Sequence, residues 1–467
     1  MKRNCFLCVS GTASRNILLV LVFLCTVGTN ILSAQPKLLR FEDDPPAIKD
    51  SINNLYRRIK FIPVDVIPNA YVSVGGELRA EYGGKVNEDW IANQGYNHTL
   101  LQRFSLHADF HAGTKIRLFL QLNSAVENGS KYGPAPVDED QLNVQNFFAD
   151  YLFLQHAGRS LTARIGRQEM NYGSGRIISV RDGTNTRQYF TGIKLKYASP
   201  TFSADAFVLA ADKIKPGIFD NILYGTANLW GIYTTRKIQS AGSLDVYYLG
   251  SRKYGAVYEE GKANDMRHTL ASRYWNNNGA LTYNFEGAYQ FGTFGKGNIS
   301  AWTLAIEMGY RWRDSKKNPY IGLRNDYISG DKSAGDGSLQ TFNPLYPKGG
   351  YFGFNPLIGP ANLIDIHPYF TLSPKRWLSL QGDIVFNWRY SLNDGIYLPS
   401  GNLHYQASAS QHRFIGTTYL LEIDFTISNY VFFSVGGQYF RVGNVIKDII
   451  PDWGNSKYFN MQLSCKF

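Results

Sequence analysis

The chain has 467 residues, with 48 Lys and Arg against 37 Asp and Glu, a formal charge of +11. Only 18% of it is charged, while 44% is hydrophobic, 15% is aromatic, and Gly and Tyr contribute 45 and 31 residues. The low charge argues against a disordered or coiled-coil chain, and negative mean hydropathy without a long apolar run argues against a helical membrane protein.

Residues 1–34 read as a secretory signal. Lys2, Arg3 and Arg15 give a basic start, residues 17–27 are apolar, and the small residue Ala34 precedes Gln35. A helix of eleven residues rises only about 16 Å, against about 30 Å of hydrocarbon, which argues against a spanning anchor. Cys5, Cys8 and Cys25 fall in this segment and leave Cys465 alone in the mature chain, so neither an internal disulfide nor a Cys-based metal site is expected. Loss of the three basic residues brings the net charge to +8. Residues 35–65 are expected to form a periplasmic N-terminal segment, a tail or a plug, and 66–467 a transmembrane barrel.

From residue 66 onward the period is that of a strand. In 72–82, Val72, Val74, Gly76, Leu78, Ala80 and Tyr82 alternate with Ser73, Gly75, Glu77, Arg79 and Glu81. The segments 281–291, 302–310 and 378–390 repeat this pattern. Across the four, none of the 24 first-face positions is charged or carries an amide, whereas 15 of the 20 on the other face are charged or polar. The runs are nine to thirteen residues long. Globular strands average about 5–6, and a tilted strand needs about 9–11 to cross a bilayer. Tyr82, Trp302, Tyr310, Trp388 and Tyr390 sit at run ends, where an aromatic girdle meets the headgroups. Polar, Gly-rich stretches such as 123–140, 252–267 and 329–359 read as long external loops, and Ala112-Gly113 as a short periplasmic turn. The expected fold is all-β: a transmembrane antiparallel β-barrel of the outer-membrane type, with about 18 strands.

The C-terminus alternates Phe459, Met461, Leu463, Cys465 and Phe467 with Asn460, Gln462, Ser464 and Lys466. A last strand ending on Phe resembles the assembly signal of bacterial outer-membrane barrels, which makes the barrel assembly machinery an expected partner through Phe467. Lipid leaves no backbone group to water, so this strand must pair with the first.

No catalytic motif is present, and neither a cofactor nor a metal site is expected. His98, His107 and His111 are close in sequence, but His107 and His111 share the parity of Arg103 and Asp109 and fit a polar wall. Arginine carries more information. Arg79, Arg103, Arg117, Arg324 and Arg389 fall on the polar parity, as do Lys115, Lys194 and Lys196. Lumen-facing guanidinium groups can bind carboxylates bidentately and give a pore anion preference. The competing reading is a bracing role, with Glu77, Glu81, Glu286 and Asp383 as partners. Between Arg164 and Arg187 five arginines occur in 24 residues, Arg164, Arg167, Arg176, Arg181 and Arg187, all pore candidates, with a strand register expected to break at Gly166-Arg167.

This stretch, with Gly166-Arg167-Gln168-Glu169, Tyr172-Gly173-Ser174-Gly175-Arg176 and Ser179-Val180-Arg181-Asp182-Gly183, resembles the signature of the alginate export family of outer-membrane channels. Thr341-Phe342-Asn343-Pro344-Leu345-Tyr346-Pro347-Lys348-Gly349 and the run from Ile358 to Pro368 are further matches, and the order is kept over nearly all of the mature chain. The resemblance implies an 18-stranded monomeric barrel, integral to the Gram-negative outer membrane, whose constricted electropositive pore passes a polyuronate. It places Arg167, Arg176, Arg181 and Arg187 at the constriction, with Asp182 and Asp365 bracing or tuning them; parity alone adds Arg79, Arg103 and Arg389, and Glu77 is a further tuning acid on the polar face. The expected partners are thus outer-membrane lipid and an anionic oligo- or polysaccharide, with no nucleic acid. The alternatives are a general porin for small hydrophilic solutes, an outer-membrane enzyme such as a lipase, and a soluble saccharide-binding protein, which would extract without detergent.

Overall fold

A computed structural model describes residues 37–43, 58–239 and 241–467; the expected signal lies outside them. The wall strands are β1 (Tyr71–Val86), β2 (Tyr96–Ala112), β3 (Ile116–Asn128), β4 (Asp140–His156), β5 (Arg159–Glu169) and β6 (Tyr189–Ala198). They continue as β7 (Phe202–Lys213), β8 (Ile222–Ile238), β9 (Gly242–Tyr258), β10 (Gly261–Asn276), β11 (Leu281–Phe294) and β12 (Gly297–Arg311). The circuit ends with β13 (Tyr320–Ile328), β14 (Leu363–Lys375), β15 (Leu378–Arg389), β16 (Phe414–Thr426), β17 (Val431–Val442) and β18 (Ser456–Lys466). Each pairs antiparallel with its neighbour, and β1 pairs with both β2 and β18, which closes an 18-strand barrel.

Closure reaches the last residue. Gly76 N–H donates to the Phe467 carbonyl at 2.9 Å, and Phe467 N–H returns a bond to Gly76 O at 3.0 Å. This is the pairing that a bilayer demands of a final strand. The alternation resolves as expected. On β3, Leu118 and Leu120 face outward and are exposed, while Phe119, Gln121 and Asn123 are buried inside. On β1, Glu77, Arg79 and Glu81 are buried in the bore.

The connections at one end are mostly tight, such as 157–158 and 376–377, whereas the other end carries 170–188, 329–362 and 390–413. In bacterial barrels the tight turns are periplasmic and the long loops external. One sequence expectation changes. Residues 252–267, read as a loop, form the top of the β9–β10 hairpin, which turns only at Glu259 and Glu260. Residues 37–43, of the segment read as a tail or a plug, lie inside the barrel: Phe41 packs edge-on against the lumen-facing rings of Phe119 and Phe148, at 5.8 and 5.2 Å.

Candidate permeation site

The two long loops that carry the sequence motifs fold inward and meet in the bore. Gly173 and Gly175 have φ of +57° and +77°, in the left-handed region that favours glycine, and they turn the chain within 170–180. Tyr346 N–H donates to Ile177 O at 2.9 Å, Ser179 N–H to Tyr346 O at 2.8 Å, and Lys348 N–H to Gly175 O at 2.9 Å. These bonds join 175–179 to 346–348 as a short parallel pairing. Around it Ile177, Ile178, Phe342 and Phe352 are buried against Phe190, Phe207 and Leu249 of the wall, an apolar partition across the bore. Arg181 and Leu345, neither a glycine, hold φ of +55° and +59° on either side of it. Such strain persists only where surrounding contacts over-determine it.

Most of the candidate arginines brace this arrangement. Asp182 is a hub. Its Oδ1 accepts from Arg103 at 2.9 Å and from Arg187 at 3.1 Å, and its carbonyl from Arg79 at 2.7 Å. Arg103 also binds Glu77 at 2.9 Å, and Arg187 lies 2.8 Å from Glu169. Although burial pushes the other way, Arg103 and Arg187 hold the Asp182 carboxyl far below the usual carboxylate range. Thus the 170–188 loop is clamped to β1 and β2.

Arg176 pairs with Asp326, beside Glu286 and the Tyr351 hydroxyl, and Asp365 lies opposite Asp326 across β13 and β14. Arg324 binds Glu307 at 3.0 Å under the rings of Tyr351 and Tyr369. Arg389 has no carboxylate within ion-pair distance among the described residues; it donates to carbonyls of the 390–413 loop, His412 at 2.6 Å and Ser410 at 2.7 Å.

Two further arginines hold the N-terminal segment. Arg117 is bidentate to Asp109, at 2.7 Å for both bonds, and donates to Phe41 O at 2.5 Å. Arg164 is bidentate to Asp150 and lies 4.4 Å from the Phe41 ring centre and 3.6 Å from that of Phe148. Arg187 joins them by donating to Leu38 O at 2.8 Å.

Arg167 is not a bore residue. Pairing of β5 with β6 runs unbroken from Ser160 to Glu169, so Arg167 shares the outward side with Ile165 and faces exposed Phe147 across the ladder. It binds Asp212 at 2.8 Å on the outside of the wall. The expected register break at Gly166 does not occur; the glycine's open side instead admits the Phe147 carbonyl, which a Cβ would approach to 2.2 Å.

Arg181 stands apart from all of these. Its guanidinium lies 5.8 Å from the Tyr346 ring centre and has no carboxylate partner among the described residues. Burial lowers its pKa, with only the Tyr346 phenol opposing. It lines a chamber of about 310 Å³ on the loop side of the partition, with Lys213 and Lys253. The acid on that wall, Asp265, is already engaged by Arg267. The sequence reading missed Lys253, although it has the lumen parity of Tyr247 and Leu249; treating 252–267 as a loop hid it. No group of His, Cys, Asp and Glu among the described residues could hold a metal ion.

Against known proteins, the family model described as alginate export matches residues 70–456. The chain belongs to the alginate export family. It is an integral outer-membrane β-barrel of channel type. No curated protein matches. Solved structures with the same fold include OccAB1 of Acinetobacter baumannii, 11% identical with a TM-score of 0.56, covering 86% of this chain and 97% of that one. A BenF-like porin from Pseudomonas fluorescens Pf-5 is 11% identical with a TM-score of 0.55, covering 86% and 99%. The outer-membrane protein OprD of Pseudomonas aeruginosa is 12% identical with a TM-score of 0.53, covering 85% and 93%.

Proposed function

We propose that this member of the alginate export family passes anionic saccharides, of the alginate-like polyuronate type, by passive diffusion, as a monomer and without catalytic activity. The observation that carries the reading is Arg181: a guanidinium with no carboxylate partner among the described residues, beside a partition and within a chamber that Lys213 and Lys253 also line. A guanidinium already locked to a carboxylate cannot take one from a solute, which removes most of the other arginines from this role. A uronate would dock on the loop-side cations and advance when the two inward loops part, each contact weak enough to release. Arg79, Arg103 and Arg187 with Asp182 and Glu77, Arg176 with Asp365 nearby, and Arg324 and Arg389 set the position of those loops, and Arg117 and Arg164 that of residues 37–43. Phe467, paired to the first strand, is the point at which the assembly machinery would act.

The test is block of single-channel current by a hexauronate added from the loop side. Arg181→Ala is expected to shorten each blocking event about tenfold, the effect of about 1.4 kcal/mol. Equal residence times in variant and wild type would refute the assignment. A general porin would show equal interruption by a neutral hexasaccharide of the same length.

A further inference from the structure

The turn end of the bore holds a second chamber, of about 640 Å³, which the anion reading does not use. Its volume is in the range of small-molecule sites. Its chemistry differs from that of the loop side. Asp205, Asp245 and Glu307 face Arg273 and Arg311 on its wall, so it offers a uronate no excess of positive charge. What it offers instead is aromatic surface. Tyr172 and Tyr233 stack at 4.6 Å, Trp275 lies 4.8 Å from the Arg273 guanidinium, and Tyr369 closes the far side.

At the centre is Asp245, which is 1% exposed. Its Oδ2 accepts three bonds, from Tyr233 Oη at 2.7 Å, Arg273 Nη1 at 3.0 Å and Trp275 Nε1 at 3.2 Å. Its Oδ1 is buried with no hydrogen-bond partner among the described residues. A carboxylate oxygen left in this way is costly unless a further donor arrives. Arg273, beside it, gives Nε to Asn284 and Nη1 to Asp245. An indole, a planar guanidinium and an orphaned carboxylate oxygen together match a ring that is apolar on its face and carries hydroxyls on its edge.

We propose that this chamber is a binding site for an uncharged pyranose segment of an oligosaccharide. The sugar's C–H face lies on Trp275, and an edge hydroxyl donates to Asp245 Oδ1. This goes beyond the anion reading, because selection here is by hydroxyl pattern and not by charge.

The full chain in detergent micelles is titrated calorimetrically with maltohexaose, cellohexaose and mannohexaose, and separately with a hexagalacturonate. At least one neutral hexasaccharide is expected to bind saturably. Trp275→Ala should weaken it about tenfold, Asp245→Asn should weaken it as well, and Arg181→Ala should leave it unchanged. Trp275→Phe keeps an aromatic face, although it loses the Nε1–H donor to Asp245, and is expected to retain binding to within a few-fold, which separates ring stacking from misfolding. Absence of saturable binding by all three neutral probes overturns the proposal, as does wild-type affinity in both Trp275→Ala and Asp245→Asn. The hexagalacturonate arm reports on the loop-side chamber, so the two assignments fail separately.

Discussion

Residues 37–43 occupy part of the bore on the β1–β5 side, and the balance holding them there is narrow. Ordering that segment costs about 10 kcal/mol at about 1.5 kcal/mol per residue. Against this, burial of Leu39 and Phe41 contributes about 2–3 kcal/mol each. Three guanidinium–carbonyl bonds, from Arg117 to Phe41 O, Arg187 to Leu38 O and Arg40 to Phe467 O, contribute about 2 kcal/mol each. The two sides cancel to within a few kcal/mol. Phe41→Ala removes a side chain packed on Phe119, Phe148 and Arg164, a loss of about 3 kcal/mol or more. That shifts the docked fraction by about a hundredfold or more and should release the segment. Two readouts follow. Arg40, 4% exposed in the native protein, should become a trypsin site, and mean single-channel conductance should rise while the melting temperature of the barrel stays the same. Unchanged resistance at Arg40 together with unchanged conductance would refute the docking energetics.

Arg176→Met leaves Asp326 and Glu286 buried without their cation and should destabilise the protein by about 3–5 kcal/mol, measured by denaturant unfolding in micelles; a loss under about 1 kcal/mol would contradict the pairing. Leu120→Arg puts a charge on the lipid face of β3 and should cost about 2–4 kcal/mol in equilibrium folding into bilayers; a neutral result would mean that this side does not face lipid. Asp182→Asn should loosen the clamp on the 170–188 loop by about 3 kcal/mol at pH 7, the worth of two charged hydrogen bonds. Because Arg103 and Arg187 depress the folded pKa of Asp182, its contribution is complete above the unfolded value of about 3.9 and is lost only as pH falls further. The stability gap between wild type and Asp182→Asn should therefore be constant from pH 8 to pH 5 in thermal melts; a gap that closes near pH 6 would contradict the ion-pair account.

The wall was legible in the sequence because lipid imposes a period-two rule that side chains cannot evade. Leu118 and Leu120 outside, with Gln121 and Asn123 inside, follow from parity alone, and so does closure on Phe467. The interior was less legible, because parity says which way a residue points but not what it meets. Arg103 and Arg187 were read as pore residues and do face the bore, yet both are occupied by Asp182, which comes from a loop whose inward path no period encodes. Arg167 was misplaced because Gly166 was taken as a break in a ladder that continues through it. The meeting of Ile178 with Tyr346 joins two motifs far apart in sequence, and only the fold shows that they form one partition.

The central claim is that Arg181, which has no carboxylate partner among the described residues, favours anions beside the partition. The most direct measurement is the reversal potential of single wild-type channels in a planar bilayer under a potassium chloride gradient. The account predicts a reversal potential of the sign set by chloride, reduced in Arg181→Ala. A potential set by potassium, or an identical value in the variant, would contradict it.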